Sequence, residues 1–224
     1  MAIELITFPR ELPSALKPVG MTFVLDPMAE ITPLRSGRTV SVDIGPTLWK
    51  ASWESQPLDD EQAGLLQSWY DTLLSYNSFL AYHRLREYPL AYKETGWPSE
   101  WSPAFDGNAL LQDVNDANMV ELTLSALPVG FVLSVGDFLG FGLTGSRYAL
   151  HRVAQAGVAD GSGLMTIEVR PEIQSGYPTG SPGSREVALY RAPAEMIIDP
   201  GSWNESLSGD GDLTTISFSA TQTL

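Results

Sequence analysis

Apolar and polar positions alternate with a period of two along much of this chain, which predicts a mainly β protein. Residues 21–25 read as a strand. Val40, Val42 and Ile44 alternate with Thr39, Ser41 and Asp43, the pattern of a half-buried strand, after a turn at Arg35-Ser36-Gly37-Arg38. Trp49, Ala51 and Trp53 alternate with Lys50, Ser52 and Glu54 in the same way, and residues 79–82 read as a further strand. From 120 to 199 short β-type runs follow one another: 120–124, an apolar run ending at Gly136-Asp137, then 147–153, 164–170, 186–190 and 195–198. Turn residues such as Leu127-Pro128-Val129-Gly130 and Ala159-Asp160-Gly161-Ser162-Gly163 join them, which predicts a small antiparallel barrel or sandwich. Ile216, Phe218 and Ala220, alternating with Thr215, Ser217 and Ser219, predict a closing strand after a polar turn region at 204–211.

One helix interrupts this pattern, over 59–75. Asp59 is placed to accept from the first free amides, and Gln62 stands three residues on, a variant of the capping box. Asp59, Asp60 and Glu61 also suit the positive end of the helix dipole. Leu65, Leu66, Trp69, Tyr70, Leu73 and Leu74 form an apolar stripe at helical spacing.

Between 88 and 118 regularity is lost. Pro89, Gly96, Pro98, Pro103 and Gly107 punctuate a stretch that carries Trp97, Trp101 and Phe105. A solvated linker rarely holds so many aromatics. The segment is expected to be an arm or loop lying on a surface, its own subunit's or a neighbour's, with those three residues as interface candidates.

The 224 residues carry 27 Asp and Glu against 13 Lys and Arg, a formal net charge of −14. That balance argues against a phosphate-binding surface, which needs clustered cations. With no cysteine, disulfides and thiolate metal sites are excluded. The first ten residues lack the pattern of a signal peptide. No apolar run approaches the roughly 20 residues that span a bilayer, so no membrane insertion is expected.

Signals for catalysis are sparse. His83 and His151 are the only histidines, so a three-His metal site is impossible. His151, in a strand pattern, reads as a structural hydrogen-bonding residue. No serine lies in a G-x-S-x-G elbow. Gly140-Phe141-Gly142 does not continue into a dinucleotide fingerprint. Asp210-Gly211-Asp212 lacks the other ligands of a calcium loop and reads as a hairpin turn. Glu54 could be paired with Asp59, Asp60 and Glu61 as acid and base, but helix capping explains the last three better. No catalytic residue, metal or cofactor is expected, and the chain reads as a non-enzyme.

Several segments resemble tail proteins of long-tailed bacteriophages. They are 127–141 (LPVGFVLSVGDFLGF), 148–153 (YALHRV), 163–173 (GLMTIEVRPEI) and 191–196 (RAPAEM), together with Phe8-Pro9-Arg10, the Trp53 strand and the helix after it. Among these the chain is most similar to the distal tail proteins of siphophages. The resemblance implies a tail-tube-like β-sandwich with one flanking helix, formed by 1–127 and 200–224. It implies an inserted peripheral β-barrel, OB-like or galectin-like, at 128–199. The segment 88–118 is longer than that plan needs.

What the resemblance implies for function is a virion protein at the tail tip, assembled in the host cytoplasm. Six copies would form a ring that joins the tail tube protein to the baseplate hub. Tape measure protein and tail fibres would be further partners, and genomic DNA would pass only as cargo. A polyanion sliding through such a ring calls for an acidic lumen. Asp43 and Glu54, on the polar faces of their strands, and Glu121 are the lumen candidates. The alternative is a carbohydrate-binding, receptor-recognition module that uses Trp97, Trp101 or a barrel aromatic such as Tyr177.

Overall fold

Trp49, Ala51 and Trp53 leave their strand on one side and are almost wholly buried, as their alternation requires. The structure, a computed structural model, describes residues 6–74, 76–101, 104–142, 148–173, 185–207 and 213–224. It is mainly β, with one α-helix among the described residues, and divides into two compact units. The first is Met1–Ala81 with Glu195–Thr223 and the second is Tyr82–Ala194.

The first unit begins with β1 (Arg10–Glu11), β2 (Pro18–Asp26), β3 (Ala29–Pro33), β4 (Thr39–Asp43), β5 (Leu48–Ser55), α1 (Asp60–Leu73) and β6 (Phe79–Ala81). The second holds β7 (Asn108–Val114), β8 (Glu121–Ser125), β9 (Val132–Leu133), β10 (Phe138–Gly142), β11 (Tyr148–Gln155), β12 (Gly157–Val158), β13 (Met165–Arg170) and β14 (Arg185–Ala188). The chain returns to the first unit as β15 (Ala194–Ile198), β16 (Asn204–Leu207) and β17 (Thr214–Gln222).

In the first unit a seven-stranded sheet runs β1-β6-β15-β17-β5-β2, with β16 also paired to β17. Trp53 lies opposite Met21 on β2 and Phe218 on β17. Its ring stacks on Phe218 at 4.9 Å and meets Phe23 edge-on at 5.7 Å. Helix α1 covers this face. Asp59 caps it by accepting from the Gln62 amide at 2.8 Å, and Leu74 ends it in the left-handed region at φ 37°. Leu66, Trp69 and Leu73 are buried, each contributing roughly 1.5–3 kcal/mol by removal from water. Leu65 and Leu74 are exposed, so the buried stripe is narrower than expected. The Trp69 indole donates to the Glu11 carbonyl at 3.0 Å and ties β1 to the helix. Tyr70 stacks on Trp203 at 4.2 Å.

Three expectations change here. The expected half-buried strand at 39–44 does form, as β4, but it pairs only with β3, and both strands of this hairpin are largely exposed. Residues 195–198, read with the barrel, lie in the sheet of the first unit. The region 204–211, read as a turn, starts with strand β16; residues 208–212, with the Asp210-Gly211-Asp212 turn, lie outside the described residues.

In the second unit six strands pair in the closed order β10-β11-β13-β8-β7-β14, with β14 returning to β10. Leu122, Leu124, Leu139, Phe141, Ile167 and Val187 fill the interior. β9 and β12 form a separate two-stranded ribbon. In the turn that precedes β13, Gly163 sits at φ +72°, and a Cβ there would lie 2.4 Å from the Leu127 carbonyl, so only glycine fits.

The boundary expected at 127/128 therefore moves to 81/82, and the far boundary from 199/200 to 194/195. β7 lies inside the segment read as irregular, and it completes the closed order. A register shift between Leu111 and Asp113 breaks its alternation, which puts Ala109 and Val114 inside although they are five residues apart. Cutting at 128 would remove β7 and β8 from their partners β14 and β13.

Candidate functional site

On the first unit's sheet, most side chains opposite the aromatic face are polar, with Val24, opposite Lys50, an exposed apolar exception. Thr22, Lys50 and Glu54 are exposed, and Ser52, Ser217 and Ser219 are half-buried. A shallow groove crosses this face, lined by Thr22, Ser52, Glu54, Ser202, Ser217 and Ser219. The hydroxyls of Thr22 and Ser52 bond each other at 2.7 Å across paired positions. Glu54 lies between Gly20 on β2 and Ser217 on β17. Asp199 accepts from the Ser219 hydroxyl at 2.6 Å and the Thr221 hydroxyl at 2.7 Å, which fixes β17 to the end of β15.

Lys50 is the one cation on β2, β5 and β17, and Asp26 lies 2.7 Å from it. That hydrogen bond and the carboxylate charge raise Lys50 above the ordinary lysine value. With Lys50 matched by Asp26, Glu54 and Asp199 leave the face negative. Chemically it is a surface of hydroxyls and carboxylates.

The three lumen candidates fall on separate features. Glu54 is on the open sheet face. Asp43 is exposed at the base of the β3–β4 hairpin, opposite Ala29. Glu121 belongs to the second unit, where it lies opposite Glu168 and accepts from the Asn115 amide group at 3.1 Å. Sequence reading missed Asp199 and Ser202, which join the face only because β15 and β17 pair.

Of the two surfaces expected for Trp97, Trp101 and Phe105, the structure shows them on the chain's own. They pack on their own unit around Phe131 and Tyr92. Phe105 is 8% exposed, and Trp97 meets Phe105 at 5.2 Å and Tyr92 at 5.2 Å. Trp101 meets Tyr92 at 5.5 Å and Phe131 at 5.7 Å. The segment is held by polar bonds as well: Asp137 accepts from the amides of Leu90 at 2.8 Å and Ser134 at 2.7 Å. Burial pushes the Asp137 carboxyl above its ordinary value. The aromatic count signalled a core element, but an irregular backbone hid which core it served. Tyr177 lies outside the described residues.

His151 is buried at 1% exposure, stacks on Phe141 at 5.1 Å and shares a 3.0 Å hydrogen bond between Nδ1 and the Pro171 carbonyl. Burial pushes its pKa down to about 4. The structural role read from its strand pattern fits this setting. His83 stacks on Phe138 at 5.5 Å and is also lowered, by burial and then by Arg86. Among the described residues no three His, Asp or Glu side chains gather as a metal site would need. No helix there is long and apolar enough to cross a membrane.

No protein-family model matches the chain, and no curated protein is similar to it.

Proposed function

We propose that this chain is a structural ring protein at the tail tip of a long-tailed bacteriophage, joining the tail tube to the baseplate hub and leaving a channel for DNA. The carrying observation is the first unit's form. One sheet face is sealed by α1 and aromatics, the other is polar and open, and a hairpin extends from β2 and β5 with its apolar side chains uncovered. That is how a subunit looks when its neighbours complete it.

In this reading the first unit is the tail-tube-like sandwich with its flanking helix, and the second is the peripheral barrel, OB-like or galectin-like. The second unit enters and leaves between β6 and β15, which are neighbours in one sheet. Such an insertion leaves the first unit's strand order whole. Six copies would close the ring. Tail tube, hub and tape measure proteins would be its partners, with tail fibres on the periphery. The acidic open face around Glu54 would line the lumen, where charge repulsion keeps DNA from sticking. The carbohydrate-binding alternative needs free aromatic faces, and Trp97 and Trp101 spend much of theirs on Tyr92 and Phe131.

Light scattering behind size-exclusion chromatography, with negative-stain microscopy of the same peak, tests the reading. A hexamer with a central channel is expected. A monomer at every accessible concentration overturns it.

A further inference from the structure

Arg191, in the connection between β14 and β15, is held in the left-handed region at φ 47°. Glycine or asparagine would adopt that backbone at lower cost than arginine. Strained residues of this kind cluster at binding sites. The surroundings fix this one on several sides. Its amide donates to the Glu87 carbonyl at 2.8 Å, and its Nε donates to the Glu87 carboxylate at 3.0 Å. The guanidinium lies over two rings, 5.3 Å from the centre of Tyr82 and 5.0 Å from that of Tyr190. Tyr88 backs Tyr190 at 4.6 Å, and Trp97 backs Tyr88 at 5.1 Å. All of these groups belong to the second unit, and all four rings are half-buried.

With Nε engaged, the two Nη groups have no hydrogen-bond partner among the described residues, and 47% of the side chain is exposed. Together they present the flat two-donor edge that matches a carboxylate. Because the rings and Glu87 already restrict the guanidinium, less side-chain freedom is lost when that edge is used. Charge agrees. Arg84 stands over the same Tyr82 ring at 5.7 Å, so Arg84, Arg191 and Glu87 sum to one positive charge in a chain of net −14. One carboxylate neutralises that excess. Tyr, Trp and Arg gathered at a surface are also the composition of protein-binding hot spots. A sugar would need free ring faces, and Tyr82 and Tyr190 each give one to Arg191.

We propose that Arg191, fixed by Glu87, Tyr82 and Tyr190, is a docking point on the second unit for a carboxylate carried by an acidic segment of a partner protein. The Nη edge takes the two carboxylate oxygens, and the half-buried tyrosines flank the segment that carries them. Every group in the site belongs to one copy of the chain, so the proposal does not rest on the ring reading.

Saturation-transfer difference NMR on the full chain tests this, with acetyl-tetraglutamate amide as the probe. Physiological salt screens the repulsion between acidic peptide and acidic chain beyond about 8 Å. The glutamate peptide should give a signal about fivefold or more above that of acetyl-tetraglutamine amide, which lacks the charge. Arg191→Lys keeps the charge and loses the two-donor edge, and it should reduce the signal about fivefold at unchanged melting temperature. No signal from the glutamate peptide overturns the proposal, as does an equal signal from the glutamine peptide. A lysine variant that binds like the parent overturns it as well, because charge alone then suffices. Trigalacturonate giving a signal where the peptide gives none assigns the edge to an acidic sugar and overturns the partner named here. Light scattering that shows Arg191→Lys losing self-association, with no peptide signal from the parent, assigns the edge to a second copy and also overturns it.

Discussion

The Tyr92 hydroxyl accepts a hydrogen bond from the Val132 amide at 2.8 Å, and through it the segment before β7 is fastened to the β9–β12 ribbon. Tyr92 is 7% exposed, and its ring lies 5.0 Å from Phe131. Tyr92→Phe keeps the ring and strands the amide. It should destabilise the second unit by about 1–3 kcal/mol. Urea denaturation followed by tryptophan fluorescence measures this, and an unchanged midpoint would show that the strap is idle.

Two excisions separate the boundary found here from the one the sequence suggests. Replacing 82–194 by a short Gly/Ser linker should leave a folded first unit, because β6 and β15 are neighbours and the Ser78 hydroxyl already bonds the buried Glu195. Replacing 128–199 should give an aggregating protein, since it strands β7 and β8 and deletes β15. Circular dichroism and a cooperative thermal melt of each protein decide. Equal behaviour of the two would remove the boundary at 81/82.

Trp69→Ala should cost about 3–5 kcal/mol. The side chain is 3% exposed, meets Phe79 edge-on at 5.1 Å and bonds the Glu11 carbonyl. A melt like the parent's would mean that α1 is not part of the core.

The stability of the second unit should fall in mild acid. His151 is held at about 4 in the folded state, below the ordinary 6.5, so folding favours its neutral form. Its contribution is complete above pH 6.5 and is lost as pH falls through 4, on the order of 3 kcal/mol in total. His83, lowered by burial and by Arg86, acts in the same direction. His151→Gln should flatten the dependence between pH 6.5 and 4. Denaturant midpoints at several pH values test this, and parallel curves for parent and variant would refute it.

If the face around Glu54 lines a channel, its charge should govern DNA retention. Glu54→Lys places a second cation on the strand face that carries Lys50, where Lys50 is matched by Asp26. The variant ring should retain DNA at low salt and release it as salt rises, while the parent retains none. Electrophoretic mobility at two salt concentrations measures the difference. Identical mobility would place the Glu54 face outside the channel.

The sequence alone determined the elements whose signals are local. Asp59 and Gln62 marked the start of α1, and the strict alternation through Trp49, Ala51 and Trp53 marked β5 and its buried side, because capping and pleat act over a few residues. Tertiary structure decided what depends on distant partners. A bulge in β7 erased the alternation that would have revealed it. Pairing with β17, not chain proximity, took 195–198 out of the second unit. The alternation of Val40 and Val42 is as clean as that of Trp53, yet one side is buried and the other bare. Periodicity marks a face that can be covered, and only the folded chain shows whether it is.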